Sequence, residues 1–228
     1  MRKYRALQDP SSSYIQISPS YVVDGKASDA VNPLPLKTRI DIYRDLVSGW
    51  LLSPARTLLR TPDGEFAAIA LLLCYFEGHE IWRTGTDSRG RSRSFFISAF
   101  KNVFPDSVID PGHALPAGFD LRDAMANKLY EWARCGFFHT GMVRPGVGIV
   151  RLRGRVALRS ALDSTGRILS VLIYPPRFLK DIELHFERYI GDLRNPRNKV
   201  LRQNFEKAWK LTGYGQALHL PPNLRGNA

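Results

Sequence analysis

Between Thr61 and Gly85 the chain writes a helix with its own start and stop, and the rest of the fold has to accommodate it. Thr61 suits an N-cap, Pro62 the first turn, and Asp63 and Glu65 the positive end of the helix; Gly85 is a natural terminator. Its apolar face reads Phe66, Ile69, Ala70 and Leu73, then meets Glu77 on the way to Ile81. The longest apolar run, Phe66–Phe76, stops at Glu77, too short to span a bilayer.

Other segments repeat the helical period. Ile40, Tyr43, Leu46, Val47 and Trp50 recur at helical spacing up to Pro54. A third helix is expected over Ser92–Val103, with Phe95, Phe96, Ala99, Phe100 and Val103 turned inward, and a fourth over Leu121–Phe138, with Ala124, Met125, Lys128, Leu129, Trp132 and Ala133 near one face. Pro105–Gly118 reads as a turn-rich connector. The period then changes: Gly146–Leu152, Val156–Leu162 and Arg167–Tyr174 are strand-like, with a turn at Asp163–Gly166. Two further helices follow, Phe178–Leu193 and Asn198–Leu211.

The predicted architecture is mainly α (α+β): a helical bundle over residues 37–215 with a small antiparallel sheet, at about 146–174, inserted before its last two helices. Residues 1–36 carry Pro10, Ser11–Ser13, Pro19, Pro33 and Pro35 and read as an extended arm with a short strand near Tyr14–Ile17; residues 216–228 form a loose tail. No apolar core of signal-peptide length follows the basic first residues, so a soluble cytoplasmic protein with no membrane partner is expected.

Charge narrows the partners. Lys and Arg number 33 against 21 Asp and Glu, a formal net charge of +12. Such an excess attracts polyanions, nucleic acid above all, with an anionic membrane surface or a plain solubility coat as rivals. Most of it is Arg, which favours fork-like contacts with phosphate. The Arg-rich stretches are Arg83–Arg93, Arg144–Arg159 and Arg194–Arg202; Arg83 and Arg144 are expected substrate contacts. Cys74 and Cys135 lie in apolar surroundings, read as reduced core residues, and exclude a disulfide framework and a four-cysteine zinc site. Gly78-His79-Glu80 has no second His at ligand spacing, so no metal or other cofactor is expected. His113, His185 and His219 have no catalytic neighbour in sequence, and phosphate-loop, dinucleotide and GxSxG motifs are missing.

One constellation carries chemistry. In Arg134-Cys135-Gly136-Phe137-Phe138-His139 a permanent cation and a titratable imidazole stand five residues apart. An Arg holding phosphate and a His moving protons suffice in principle for metal-free RNA cleavage by 2′-hydroxyl attack. On an ideal helix they diverge by about 140°, so convergence requires the helix to end or distort between them, which Gly136 permits. The plain alternative is that Arg134 caps a helix end while His139 packs between Phe137 and Met142. Glu77, expected at the centre of an apolar stripe, needs a partner when buried; Arg134 or His139 would serve. Glu80 is the next candidate, nearer the edge.

The segment Leu129–Met142, with four residues between Arg134 and His139, resembles the signature of the HEPN superfamily of helical bundles: an Arg, four to six residues, then His, near the end of a late core helix. Leu71–Gly85 is similar to that family's earlier helix, and Glu77 matches its frequent acidic residue; the resemblance covers roughly residues 40–145. It implies a metal-independent endoribonuclease acting as a homodimer, with the two Arg–His pairs meeting across the dyad. By the same resemblance Arg134 binds the scissile phosphate, and His139 is the general acid or base or holds the 2′-hydroxyl. It further implies a toxin–antitoxin or anti-phage setting, often with a neutralising partner. A polar residue, often Asn, commonly follows the Arg in active members, where this chain has Cys135. Members that have lost catalysis bind RNA or a partner only.

Overall fold

The computed structural model describes residues 14–24, 34–112, 114–151 and 156–213. His113, His219, the expected tail and much of the expected arm lie outside them.

The chain opens with an antiparallel pair, β1 (Tyr14–Gln16) and β2 (Val22–Asp24). Between them the Ser18 hydroxyl and the Ser20 amide both donate to the Asp45 carboxylate at 2.6 Å, tying this turn to the first helix. That helix, α1 (Leu36–Val47), continues through a wide turn at Ser48–Leu52 into α2 (Ser53–Leu58). Pro54, expected to end it, is carried inside. In the wide turn the Ser53 amide reaches back five residues to the Ser48 carbonyl, a register shift that lets the helix absorb a proline without an amide hydrogen.

The long helix α3 (Glu65–Thr84) ends on Gly85 in the left-handed conformation, as its sequence demands. It runs through the middle of the bundle against α2, α4 (Ser92–Val103), α7 (Pro175–Arg194) and α8 (Lys199–Leu211). Phe76 packs against Phe96, Phe100, Phe104 and Phe178, while Tyr43 of α1 contacts Trp82, Phe186 and Phe205. The inward residues expected of α4 are all buried. The buried side of α3 is rotated from expectation: Ile69, Leu72, Leu73, Phe76, His79 and Glu80 face the core, while Phe66 and Ala70 are half-buried. Cys74 is exposed rather than a core residue, and Cys135 is half-buried.

The expected fourth helix is three pieces: α5 (Leu121–Leu129), a wide turn at Tyr130–Arg134, and α6 (Cys135–Thr140). The sheet is mixed, not antiparallel. Its order is β3-β5-β6-β4, where β3 is Ile109–Asp110, β4 Val147–Ile149, β5 Leu158–Leu162 and β6 Ile168–Ile173. Only the β5–β6 hairpin is antiparallel; β4 runs parallel to β6 and β3 parallel to β5. Alternation marks a strand and the Asp163–Gly166 turn marks a hairpin, but neither names the partner of a strand joined by a longer crossing. At two residues, β3 is too short to show any period in the connector. Among the described residues no helix is long and apolar enough to cross a membrane.

Candidate active site at the crossing of α3 and α6

Glu77 and Arg134, 57 residues apart, meet where α3 passes the wide turn. The Arg134 Nη2 donates to Glu77 Oε2 at 2.8 Å, with side chains 22% and 18% exposed. The Ser88 hydroxyl donates to the other oxygen, Oε1, at 2.8 Å. Burial alone would push the Glu77 carboxyl up; hydrogen bonds from Ser92 and Ser88 and the charge of Arg134 outweigh it and hold the group below its ordinary value. Glu77 therefore stays ionised near neutral pH and fixes the guanidinium. The Arg134 guanidinium lies 5.5 Å from the Tyr130 ring and 4.8 Å from that of Phe138, one helical turn to either side. Cys74 is nearby; the residue is exposed, but its thiol lies against the helix and donates to the Ala70 carbonyl, and this partial desolvation raises it above the ordinary value against the pull of Arg134, so it is no activated thiolate.

The wide turn makes this arrangement. The Cys135 amide reaches back five residues to the Tyr130 carbonyl, and the Trp132 carbonyl accepts instead from the Arg144 amide of the returning chain at 2.8 Å. The distortion thus falls before Arg134, not between Arg134 and His139 as convergence required. Gly136 does not break the helix. A Cβ there would run into the Met142 carbonyl, so the residue is small because the returning chain crosses it. Gly136→Ala is expected to cost about 1–3 kcal/mol from overpacking, read as a lowered urea midpoint with unchanged m. An unchanged midpoint would show that the crossing relaxes freely.

His139 lies in the last turn of α6, ahead of the left-handed cap at Gly141. It is exposed, and among the described residues it has no hydrogen-bond partner. Because Cys135–Thr140 is regular α-helix, Arg134 and His139 remain about 140° apart around the axis. The structure joins Arg134 to Glu77 but joins His139 to neither.

The remaining site candidates are elsewhere engaged. Glu80, expected nearer the edge than Glu77, is the more deeply buried, at 3% exposed. Its oxygens accept from Arg83 Nε and Nη2 at 2.7 and 2.6 Å within α3, and from the Ser98 hydroxyl at 2.8 Å, which ties α3 to α4. The carboxylate is not free for substrate. Arg144 sits 3.7 Å from Glu131 with both side chains half-exposed, a weak surface pair.

Sequence reading passed over Ser88, Ser92, Tyr130 and Phe138, of which only the i±4 spacing of the two rings around Arg134 was visible in advance. It also passed over a buried polar cluster. The Tyr75 hydroxyl lies 2.9 Å from His185 Nδ1 and 3.4 Å from His79 Nδ1, while the ring centroids of His79 and His185 are 4.6 Å apart. The His79 Nε2 has no partner among the described residues. No group of three His, Cys, Asp or Glu that could hold a metal is found among the described residues.

Comparison of the chain with protein-family models, with curated proteins and with solved structures finds no match in any of the three.

Proposed function

We propose that the chain is a metal-independent endoribonuclease of the HEPN type. In this reading it acts as a homodimer on cytoplasmic RNA, in a toxin or anti-phage setting with an antitoxin-like protein that neutralises it. The observation that carries the reading is the state of Arg134. Glu77 takes one of its five N–H donors, the others have no partner among the described residues, and the side chain reaches solvent. A guanidinium anchored on one edge, flanked by the Tyr130 and Phe138 rings and reaching solvent over part of its surface, is prepared to receive a phosphate in fixed orientation. His139 projects from the same helix end with its imidazole in solvent. The angle between them makes a second copy the natural source of the complementary group, as the family resemblance implies.

In the proposed reaction a base takes the proton of a 2′-hydroxyl. The oxygen attacks the adjacent phosphorus, the 5′-oxygen leaves and is protonated, and Arg134 offsets the charge gathering on the phosphoryl oxygens. The expected products are a 2′,3′-cyclic phosphate and a 5′-hydroxyl, formed undiminished in excess EDTA. Mapping of RNA ends after incubation with the purified protein tests this; linear 3′-hydroxyl ends, or cleavage abolished by chelation, would overturn it.

A second reading draws on the same geometry. The Glu77–Arg134 pair is self-neutralising and His139 is turned away, which suits a bundle that binds RNA or a protein partner without cutting. It predicts RNA retention that survives His139→Ala and yields no new ends.

A further inference from the structure

We propose that the exposed face of α8 is a docking track for the phosphate backbone of single-stranded RNA, separate from the Arg134 site. The proposal takes the identity of its polyanion from the ribonuclease reading; the track itself stands on charge and packing. Elsewhere in the fold most arginines lie against a carboxylate, as Arg44 does with Glu187 at 3.0 Å and Arg194 with Asp41 at 2.7 Å. Cations without such a partner also occur elsewhere among the described residues, Arg60, Lys180 and Arg188 among them, but α8 gathers four of them on one helix. Lys199, Arg202, Lys207 and Lys210 have no carboxylate partner among the described residues, and the spacing i, i+3, i+8, i+11 sets them on one broad side of the helix. The acidic residue on that side, Glu206, is engaged by Arg39 Nη2 at 2.9 Å, which cancels its charge.

From Lys199 to Lys210 the track runs about 16 Å along the helix axis. At its start Leu36, Pro196, Lys199, Arg202, Gln203 and Glu206 line a cleft of about 340 Å³ between α1 and α8. Cations at this density, beside a cleft with polar donors, match a closely spaced run of backbone phosphates.

A membrane surface fits less well. An interfacial helix inserts its apolar face into lipid, and the apolar face of α8 is already spent: Phe205 and Trp209 pack on Trp82, with centroids 5.1 and 6.2 Å away, and Ala208 is fully buried. The track lies at the far end of α3 from its N-terminus, where Asn204 Nδ2 donates to the Arg83 carbonyl, eight residues beyond Glu77 if measured to Gly85, or about 12 Å along the axis.

The test is fluorescence anisotropy with a labelled 20-nucleotide 2′-O-methyl RNA, which keeps the backbone but cannot be cleaved by 2′-attack, across a salt series. Replacing all four cations in K199Q/R202Q/K207Q/K210Q is expected to weaken binding at least about tenfold and to lower the slope of log K against log salt by roughly 3, at about 0.7 per lost contact. K207Q/K210Q alone is expected to lower it by roughly half as much, which guards against a misfolded quadruple variant. Slopes and affinities equal to wild type would overturn the track. So would loss of binding to anionic phosphatidylserine vesicles with RNA binding retained. Track-dependent RNA binding by a protein that never cleaves would leave this proposal standing and remove the ribonuclease reading; cleavage with KM unaffected by the quadruple change would do the reverse.

Discussion

Replacing His139 with Ala is expected to lower RNA cleavage by about 10²–10⁴-fold, the usual worth of a positioned proton-transfer group. The side chain is exposed and has no partner among the described residues, so its loss should leave the melting temperature within about 1–2 °C of wild type. This makes His139 a cleaner probe than Arg134. Arg134→Ala would leave the Glu77 carboxylate half-buried with only its serine donors, so that lost activity and lost stability would be mixed. Rates on a defined RNA, measured beside thermal unfolding, decide the matter. Cleavage by His139→Ala at the wild-type rate would exclude the imidazole from the chemistry and favour the binding reading.

The second large effect is loss of stability in acid. His79 and His185 are enclosed between α3 and α7, with Tyr75 and Tyr189 against them and Arg83, Arg188 and Glu80 facing the cluster. Burial lowers both imidazoles, helped at His79 by His185 and Arg83 and at His185 by Arg188 and Arg83; Glu80 pulls the latter the other way. His185 comes down to about 4, and His79 moves in the same direction. A depressed imidazole means that the unfolded chain binds more protons than the folded one between its ordinary value near 6.5 and the folded value. The stability that these imidazoles contribute is therefore full above about pH 6.5 and declines as pH falls towards 4. His185 alone is expected to contribute on the order of 3 kcal/mol to that decline. Urea midpoints from pH 8 to pH 4 should trace the slope, and His185→Gln should flatten it. An equally steep slope in the variant would place the acid sensitivity elsewhere.

Much of the framework was legible before any coordinates. The glycine at 85 placed the end of α3 and the paired phenylalanines of Ser92–Val103 marked the buried face of α4, but the expected cap at Thr61 is not one: α3 begins at Glu65 behind Gly64, and the Thr61 hydroxyl donates to the Leu58 carbonyl in the preceding turn. The change from a period near 3.6 to a period of 2 placed β5 and β6 and the turn between them. The pair Arg134–Glu77 was visible as one of two alternatives, because a half-buried carboxylate needs a cation.

What local pattern supplied, then, was the type and approximate place of most helices and the residues worth watching. Packing supplied the rest: which side of α3 faces inward, hence why Glu80 is buried and Glu77 is at the rim; the wide turns at Ser48–Leu52 and Tyr130–Arg134; the parallel partners of β3 and β4; and the meeting of His79 with His185. The reason is physical. Caps and periods express contacts within a few residues along the chain. A helix apolar on most of its circumference has no preferred rotation until α4, α7 and α8 close around it, and those contacts join segments whose spacing along the chain carries no periodic mark.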